Sequence, residues 1–173
     1  MRGKSKKRSL PGAEAGLTLI EVIVVVVIIG VLATVATLGF NRAIAHWELV
    51  TAARTMVSDL RSARDLAMTE GVQTRVYVDK TTYPVWYRVY RWHETDWEEK
   101  KSVKFSAHIH LPDQFINSHG ETKDCEYDFR FSSSGNAVVT YSGTAKLENT
   151  VGESRYVVVY ANTGRVRVSE NPP

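Results

Sequence analysis

Two apolar patterns divide the first seventy residues. Val22 to Asn41 is a run of 20 residues without a charge, dominated by Val and Ile. As a helix it would rise roughly 30 Å at about 1.5 Å per residue, the thickness of a bilayer's hydrocarbon core, and it is too long for a strand. From Asn41 to Glu70 the spacing changes. Ile44, Trp47, Val50, Ala53, Val57, Leu60, Ala63 and Ala67 recur at steps of three or four, with Arg54, Asp59, Arg61, Arg64 and Asp65 between them. That period predicts an amphipathic helix, and Gly71 is suited to cap its C-terminus. If the two stretches are continuous, residues 17–70 form one helix of about 80 Å, its first half in lipid and its second packed on a globular body.

After Gly71 the pattern becomes β. Val72–Val78, Val85–Trp92, Val103–Leu111, Tyr127–Phe131, Ala137–Tyr141, Tyr156–Ala161 and Arg165–Ser169 have strand composition,. Ser134-Gly135-Asn136 and Asn162-Thr163-Gly164 mark turns,. No long helical pattern interrupts these strands, so an antiparallel arrangement is expected rather than βαβ units. The expected class is α+β: a long N-terminal helix, half transmembrane and half amphipathic, packed on an antiparallel β-sheet domain. The divisions are a leader over 1–16, a transmembrane helix over 17–40, its amphipathic continuation over 41–71 and a β-rich domain over 72–173, with Pro172-Pro173 as a frayed tail.

Charge refines the N-terminus. The chain has 173 residues with 22 Lys+Arg and 19 Asp+Glu, a formal net charge of +3. Arg2, Lys4, Lys6, Lys7 and Arg8 oppose only Glu14 in the first sixteen residues, a net of +4, so the other residues sum to −1. Whole-chain basicity is therefore no argument for a nucleic-acid-binding body. The basic flank should stay cytoplasmic and leave the C-terminal body outside the inner membrane. With a charged fraction of 24% and one cysteine, the chain is neither a disordered polypeptide nor a disulfide scaffold,.

A secretory signal peptide would be cut after its apolar stretch, yet the small-x-small triplet Ala13-Glu14-Ala15 precedes it,. A plain anchor leaves Glu21 unexplained, because an ionisable group at the edge of an apolar helix asks for a partner. Gly16-Leu17-Thr18-Leu19-Ile20-Glu21, behind a basic leader and ahead of the apolar run, resembles the class III signal of type IV prepilins and pseudopilins. That resemblance implies cleavage after Gly16 by prepilin peptidase and methylation of the new N-terminus at Leu17. It also implies a carboxylate at Glu21 facing the amino terminus of a neighbouring subunit. Such a pair in low dielectric attracts strongly and offsets both desolvation costs. The sequence departs from the family in having Leu17 where Phe is usual. It also lacks the family's helix-kinking Pro, with Leu38 and Gly39 there; a glycine weakens a helix in its place.

The body extends the likeness. Leu60-Arg61-Ser62-Ala63-Arg64-Asp65-Leu66-Ala67, the later Phe131 and Gly135, and Thr163-Gly164-Arg165-Val166-Arg167-Val168 are similar to GspH/FimT-type minor pseudopilins. The resemblance implies a non-enzymatic assembly subunit of a type II secretion pseudopilus. Its partners would be other pseudopilins or pilins, prepilin peptidase, the inner-membrane assembly platform and, before assembly, membrane lipid. The alternative is a FimT-like minor type IV pilin that binds DNA for uptake.

Arg165 and Arg167 fall on one face of a strand that follows a turn, and two parallel guanidiniums suit phosphate oxygens. This pattern resembles the GRxR motif of DNA-binding FimT-like pilins; its bland reading is a solvated hairpin face. Trp86, Arg88, Tyr90 and Trp92 alternate onto one face that could stack single-stranded bases, although aromatic residues also simply make good strands. His108 and His110 share a strand face, but nothing in the spacing forms a metal site, and no cofactor is expected. Cys125 lies among Asp124, Glu126 and Asp128, which should raise rather than lower its pKa, so no catalytic residue is assigned.

Overall fold

The computed structural model describes residues 18–173, apart from the side chains of residues 35–39. Helix α1 spans Leu19–Glu70. Thr18 starts it: the Glu21 N–H donates to Thr18 Oγ1 at 3.3 Å and lies 3.1 Å from the Thr18 carbonyl. This is the N-cap role that a threonine fills when it satisfies an orphan N–H of the first turn. At the other end Gly71 takes φ +68°, and the Val72 N–H reaches back to the Ala67 carbonyl at 3.2 Å. That six-to-one bond closes the helix as the terminal glycine predicts.

The chain forms two compact units, the first ending at Gly39 and the second spanning Phe40–Pro173. In the first, the described apolar side chains are exposed around the whole helix, Ile20 at 70% and Val22, on the opposite face, at 49%. A helix apolar on every side needs lipid or other chains around it. Among the described residues no helix is long and apolar enough to cross a membrane; the uncharged run of 22–41 includes the five side chains outside the description.

In the second unit α1 buries Ala45, Leu49, Ala53, Met56, Val57, Leu60, Ala63 and Ala67. From Ala53 onward this is the expected face. Before it the face differs: Ile44 and Trp47 are exposed, Trp47 at 68%, and Ala45 and Leu49 take the inward positions. Asp59, expected among the polar positions, is 7% exposed. It accepts hydrogen bonds from Tyr87 Oη at 2.7 Å and Lys101 Nζ at 2.6 Å.

The strands are β1 Thr74–Asp79, β2 Trp86–His93, β3 Asp96–Lys104, β4 Ile109–His110, β5 Gln114–Ile116, β6 Thr122–Asp124, β7 Asp128–Phe131, β8 Gly143–Asn149, β9 Ser154–Val159 and β10 Val166–Ser169. They make two four-stranded sheets, ordered β3-β2-β1-β7 and β10-β9-β8-β4, and a β5-β6 hairpin. Every ladder between these strands is antiparallel. Val76, Val78, Tyr87, Phe129 and Phe131 from the first sheet and Ala145, Leu147, Val157, Val159 and Val166 from the second share one core with α1. β9 reads as a continuous apolar run because both of its faces are covered: Tyr156 and Val158 pack beyond the main core against Phe115,.

Two expected elements change, and others appear that were not expected. Val103–Leu111 is no single strand; it ends β3, turns, and enters the two-residue β4, burying Phe105 and Ile109 on the way. Over 137–141, Ala137 makes only isolated bridges and Val139–Tyr141 is a 3-10 turn. β3, β5, β6 and β8 occupy segments that were wholly or mostly not expected to be strands. β3 is an edge strand exposed along nearly its whole length, so no alternation survives in Asp96–Lys104, and its charges protect the edge from further pairing,.

Candidate functional site

Gly16 and Leu17, the expected processing junction, lie outside the described residues. Glu21 is exposed in the first turn of α1. A carboxylate there is favoured by the helix dipole as well as by any partner amine. The Thr18–Glu21 spacing of a helix cap is readable in the sequence, and Thr18 places Glu21 in the first turn by capping it.

Arg165 and Arg167 are placed where alternation predicts. Both are exposed, while Val166 is buried and Val168 half-buried. The turn before them has Asn162 at φ +63° and Gly164 at φ +61°. A Cβ on Gly164 would lie 2.2 Å from the Gly135 carbonyl oxygen, so the two Gly-containing turns touch backbone to backbone. This contact brings α1 alongside. Arg64 Nε donates to the Gly135 carbonyl at 2.8 Å, and Arg61 Nη2 donates to the Val166 carbonyl at 3.0 Å. Arg54 reaches the same seam, facing Arg167 across a cleft. The helical arginines were visible as a polar face of α1, but their meeting with β10 depends on tertiary packing.

The aromatic face of the first sheet is different, because its cations are already paired. Arg75 forks onto Asp128 at 2.8 and 3.0 Å, and Arg130 joins the same carboxylate. Arg88 stacks 3.7 Å over Trp86 and pairs with Glu99, while Arg91, on the opposite face, pairs with Glu70 and with Glu98. Trp92 meets Trp97 edge to face at 5.2 Å. These contacts fit an internally stabilised sheet face better than an open stacking platform.

His108 and His110 do not act together. His108 sits in a turn with Nδ1 2.7 Å from Glu48 Oε2, whereas His110 faces Glu148 at 3.9 Å. Bonds from Ser106 and His108 hold the Glu48 carboxyl below its ordinary range. The Cys125 thiol is pushed up, as expected, but burial is the main cause rather than acidic neighbours, and Lys146 and Lys80 oppose the shift,. Among the described residues no cluster of His, Cys, Asp and Glu is arranged to hold a metal.

Residues 12–37 match the family described as the prokaryotic N-terminal methylation motif. The fold is similar to the crystal structure of the minor pseudopilin EpsH from the type II secretion system of Vibrio cholerae. The TM-score is 0.56 at 15% identity, covering 73% of this chain and 96% of that one. A second structure of Vibrio cholerae EpsH gives a TM-score of 0.47 at 14% identity over 71% of this chain and 97% of that one. No curated protein matches significantly in sequence. The chain thus carries a prokaryotic N-terminal methylation motif followed by a body with the fold of a minor pseudopilin.

Proposed function

We propose that this chain is a GspH/FimT-type minor pseudopilin, a structural subunit of a type II secretion pseudopilus rather than an enzyme. The observation that carries the reading is the joint occurrence of the methylation motif at 12–37 and the pseudopilin-like fold behind it. In this reading prepilin peptidase cuts between Gly16 and Leu17, and Leu17 is methylated. Thr18 then caps the helix one residue after the new terminus. The apolar segment anchors the subunit in the inner membrane, single-pass, with the β domain outside. It leaves lipid when the assembly platform adds the subunit to a filament or tip complex, where its helix packs among those of other pseudopilins. Pairing of the Glu21 carboxylate with a neighbour's amino terminus sets the register.

The test has two parts. Mass spectrometry of protein from a host with prepilin peptidase should find a chain starting at methylated Leu17; an intact leader or cleavage after Ala15 would sink the proposal. Glu21→Ala should be inserted and cleaved normally, yet lose most of its co-purification with other pseudopilins, since only the ion pair is removed. Normal assembly would show that Glu21 has no register role.

A second reading, a minor pilin that takes up DNA, draws support from the exposure of Arg165 and Arg167 on one strand. Against it stands the net charge of −1 on residues 17–173, since binding to phosphates scales with the number of neutralising cations. Salt-dependent binding to duplex DNA, lost on replacing both arginines with Gln, would favour this reading over secretion.

A further inference from the structure

The arginines of the described residues fall into two groups. Arg75, Arg88, Arg91, Arg130 and Arg155 are each held by a carboxylate. Arg42, Arg54, Arg61, Arg64, Arg165 and Arg167 form no ion pair among the described residues, and all but Arg42 line one seam between α1 and β10. Unpaired cations gathered in this way repel one another, so an anionic occupant is the natural complement. The seam consists of two clefts that meet at Arg61. One, of about 450 Å³, runs between Arg54 and Arg167 over Val57 and Val168. The other, of about 270 Å³, runs between Arg64 and Arg165 over Val166, with Asp65 as its carboxylate.

Two features narrow the occupant. Arg61 Nη2 already fills the carbonyl of Val166 on the free edge of β10, so recognition there is by side chains and not by strand addition. The floor of each cleft is valine, with Val57 5% and Val166 3% exposed. Guanidinium forks above an apolar floor suit a segment that presents carboxylates and small apolar side chains together. A sugar–phosphate backbone brings the anions without the apolar groups. It would also draw on a wider positive field, which this slightly acidic body lacks,.

We propose that the α1–β10 seam is a docking groove for an acidic polypeptide segment in which Asp or Glu alternates with apolar residues, supplied by a protein partner. The groove does not depend on how the N-terminus is processed, so its failure and that of the pseudopilin reading are separable. The test uses the full chain in detergent and a fluorescein-labelled peptide of Asp-Val-Glu-Leu repeats, read by anisotropy at low and physiological salt. Saturable binding is expected. Replacing Arg54, Arg165 and Arg167 together with Gln should weaken it about tenfold or more, because each removes a charge-assisted contact; none of the three side chains holds a hydrogen bond within the described residues. Arg42→Gln should leave affinity unchanged, and Asp65→Asn should tighten it about threefold. Unchanged melting of the triple variant separates lost binding from lost fold. Absence of binding at low salt would overturn the proposal. An all-Glu peptide bound equally well would remove the apolar floor from the argument and the proposal with it. Oligothymidine bound as tightly as the peptide would make the seam a nucleic-acid site instead.

Discussion

Replacing Asp59 with alanine probes whether α1 is joined to the first sheet by a polar tie as well as by packing. Asp59 is 7% exposed and accepts from Tyr87 Oη at 2.7 Å and Lys101 Nζ at 2.6 Å. Tyr87 is fully buried, so its hydroxyl would have no other partner and would incur its desolvation cost, about 1–3 kcal/mol,. Removing one member of a fully buried ion pair costs about 3–5 kcal/mol. The Lys101 side chain is 50% exposed, however, and its ammonium can return to water, so its share is small. The expected loss for Asp59→Ala is therefore about 2–3 kcal/mol. In a body of this size that lowers Tm by about 6–9 °C. Lys101→Met should cost less than about 1 kcal/mol. Urea and thermal melts of the 40–173 unit, which contains the whole core, give these values. The Asp59–Tyr87 coupling follows from a double-mutant cycle with Tyr87→Phe. A loss below about 0.5 kcal/mol for Asp59→Ala would mean that the carboxylate is solvated like an ordinary surface residue.

Three further predictions concern pH and backbone. Hydrogen bonds hold the carboxyls of Glu48, chiefly from Ser106, and Glu153, chiefly from His46, below the ordinary glutamate range, so their contribution is present above that range and is lost as pH falls through the folded values. Glu48→Gln should flatten the acid limb of a stability–pH curve, and an unchanged limb would refute its role. Burial, with Asp59 adding to it, pushes the Tyr87 phenol far above the ordinary tyrosine range; stability should therefore decline once pH rises past about 10, where the unfolded phenol ionises. Tyr87→Phe should shrink that alkaline loss without abolishing it, because Tyr127 is raised as well. Gly71 and Gly164 both have positive φ, yet a Cβ meets open space at Gly71 and the Gly135 carbonyl at Gly164. Gly71→Ala should cost about 1 kcal/mol and Gly164→Ala about 3 kcal/mol or more in thermal melts; equal costs would show that the two turns do not touch.

Periodicity located α1 and its end, because a terminal glycine and a three-four spacing are local signals. It failed between Ile44 and Trp47, where the largest apolar side chains face away from the core and small Ala45 faces in. Position on the helix, and not size, decides burial there, and no local rule reveals it. Asp59 was hidden for the complementary reason: its partners Tyr87 and Lys101 are 28 and 42 residues away in sequence. β8 was missed because Gly143, Ala145, Lys146, Glu148 and Asn149 have weak strand character,, and only pairing with β9 on one side and β4 on the other makes Gly143–Asn149 a strand. At the N-terminus the methylation motif was legible in the sequence as a local pattern, and residues 12–37 match that family. Arg165 and Arg167 were likewise legible as an exposed pair, but Arg54, Arg61 and Arg64 join them only through tertiary packing.

That packing explains why the cations gather where they do. Small residues at 45, 53, 63 and 67 on the buried face of α1 let the sheets approach the helix closely, so the long side chains flanking this face must lie along its borders. On the β10 side those residues are Arg54, Arg61 and Arg64. Arg61 covers a carbonyl that an edge strand would otherwise offer to any passing chain, and Arg64 ties down the Gly135 turn against which Gly164 packs. Each arginine uses only part of its fork in doing so, because a guanidinium has five N–H donors and a single carbonyl takes one or two. Arg61 and Arg64 thereby line the same clefts as Arg165 and Arg167. Protection of the sheet edge and an anion-reading groove are therefore two uses of the same side chains: a substitution at Arg61 should disturb both edge and groove, whereas one at Arg165 should disturb only the groove.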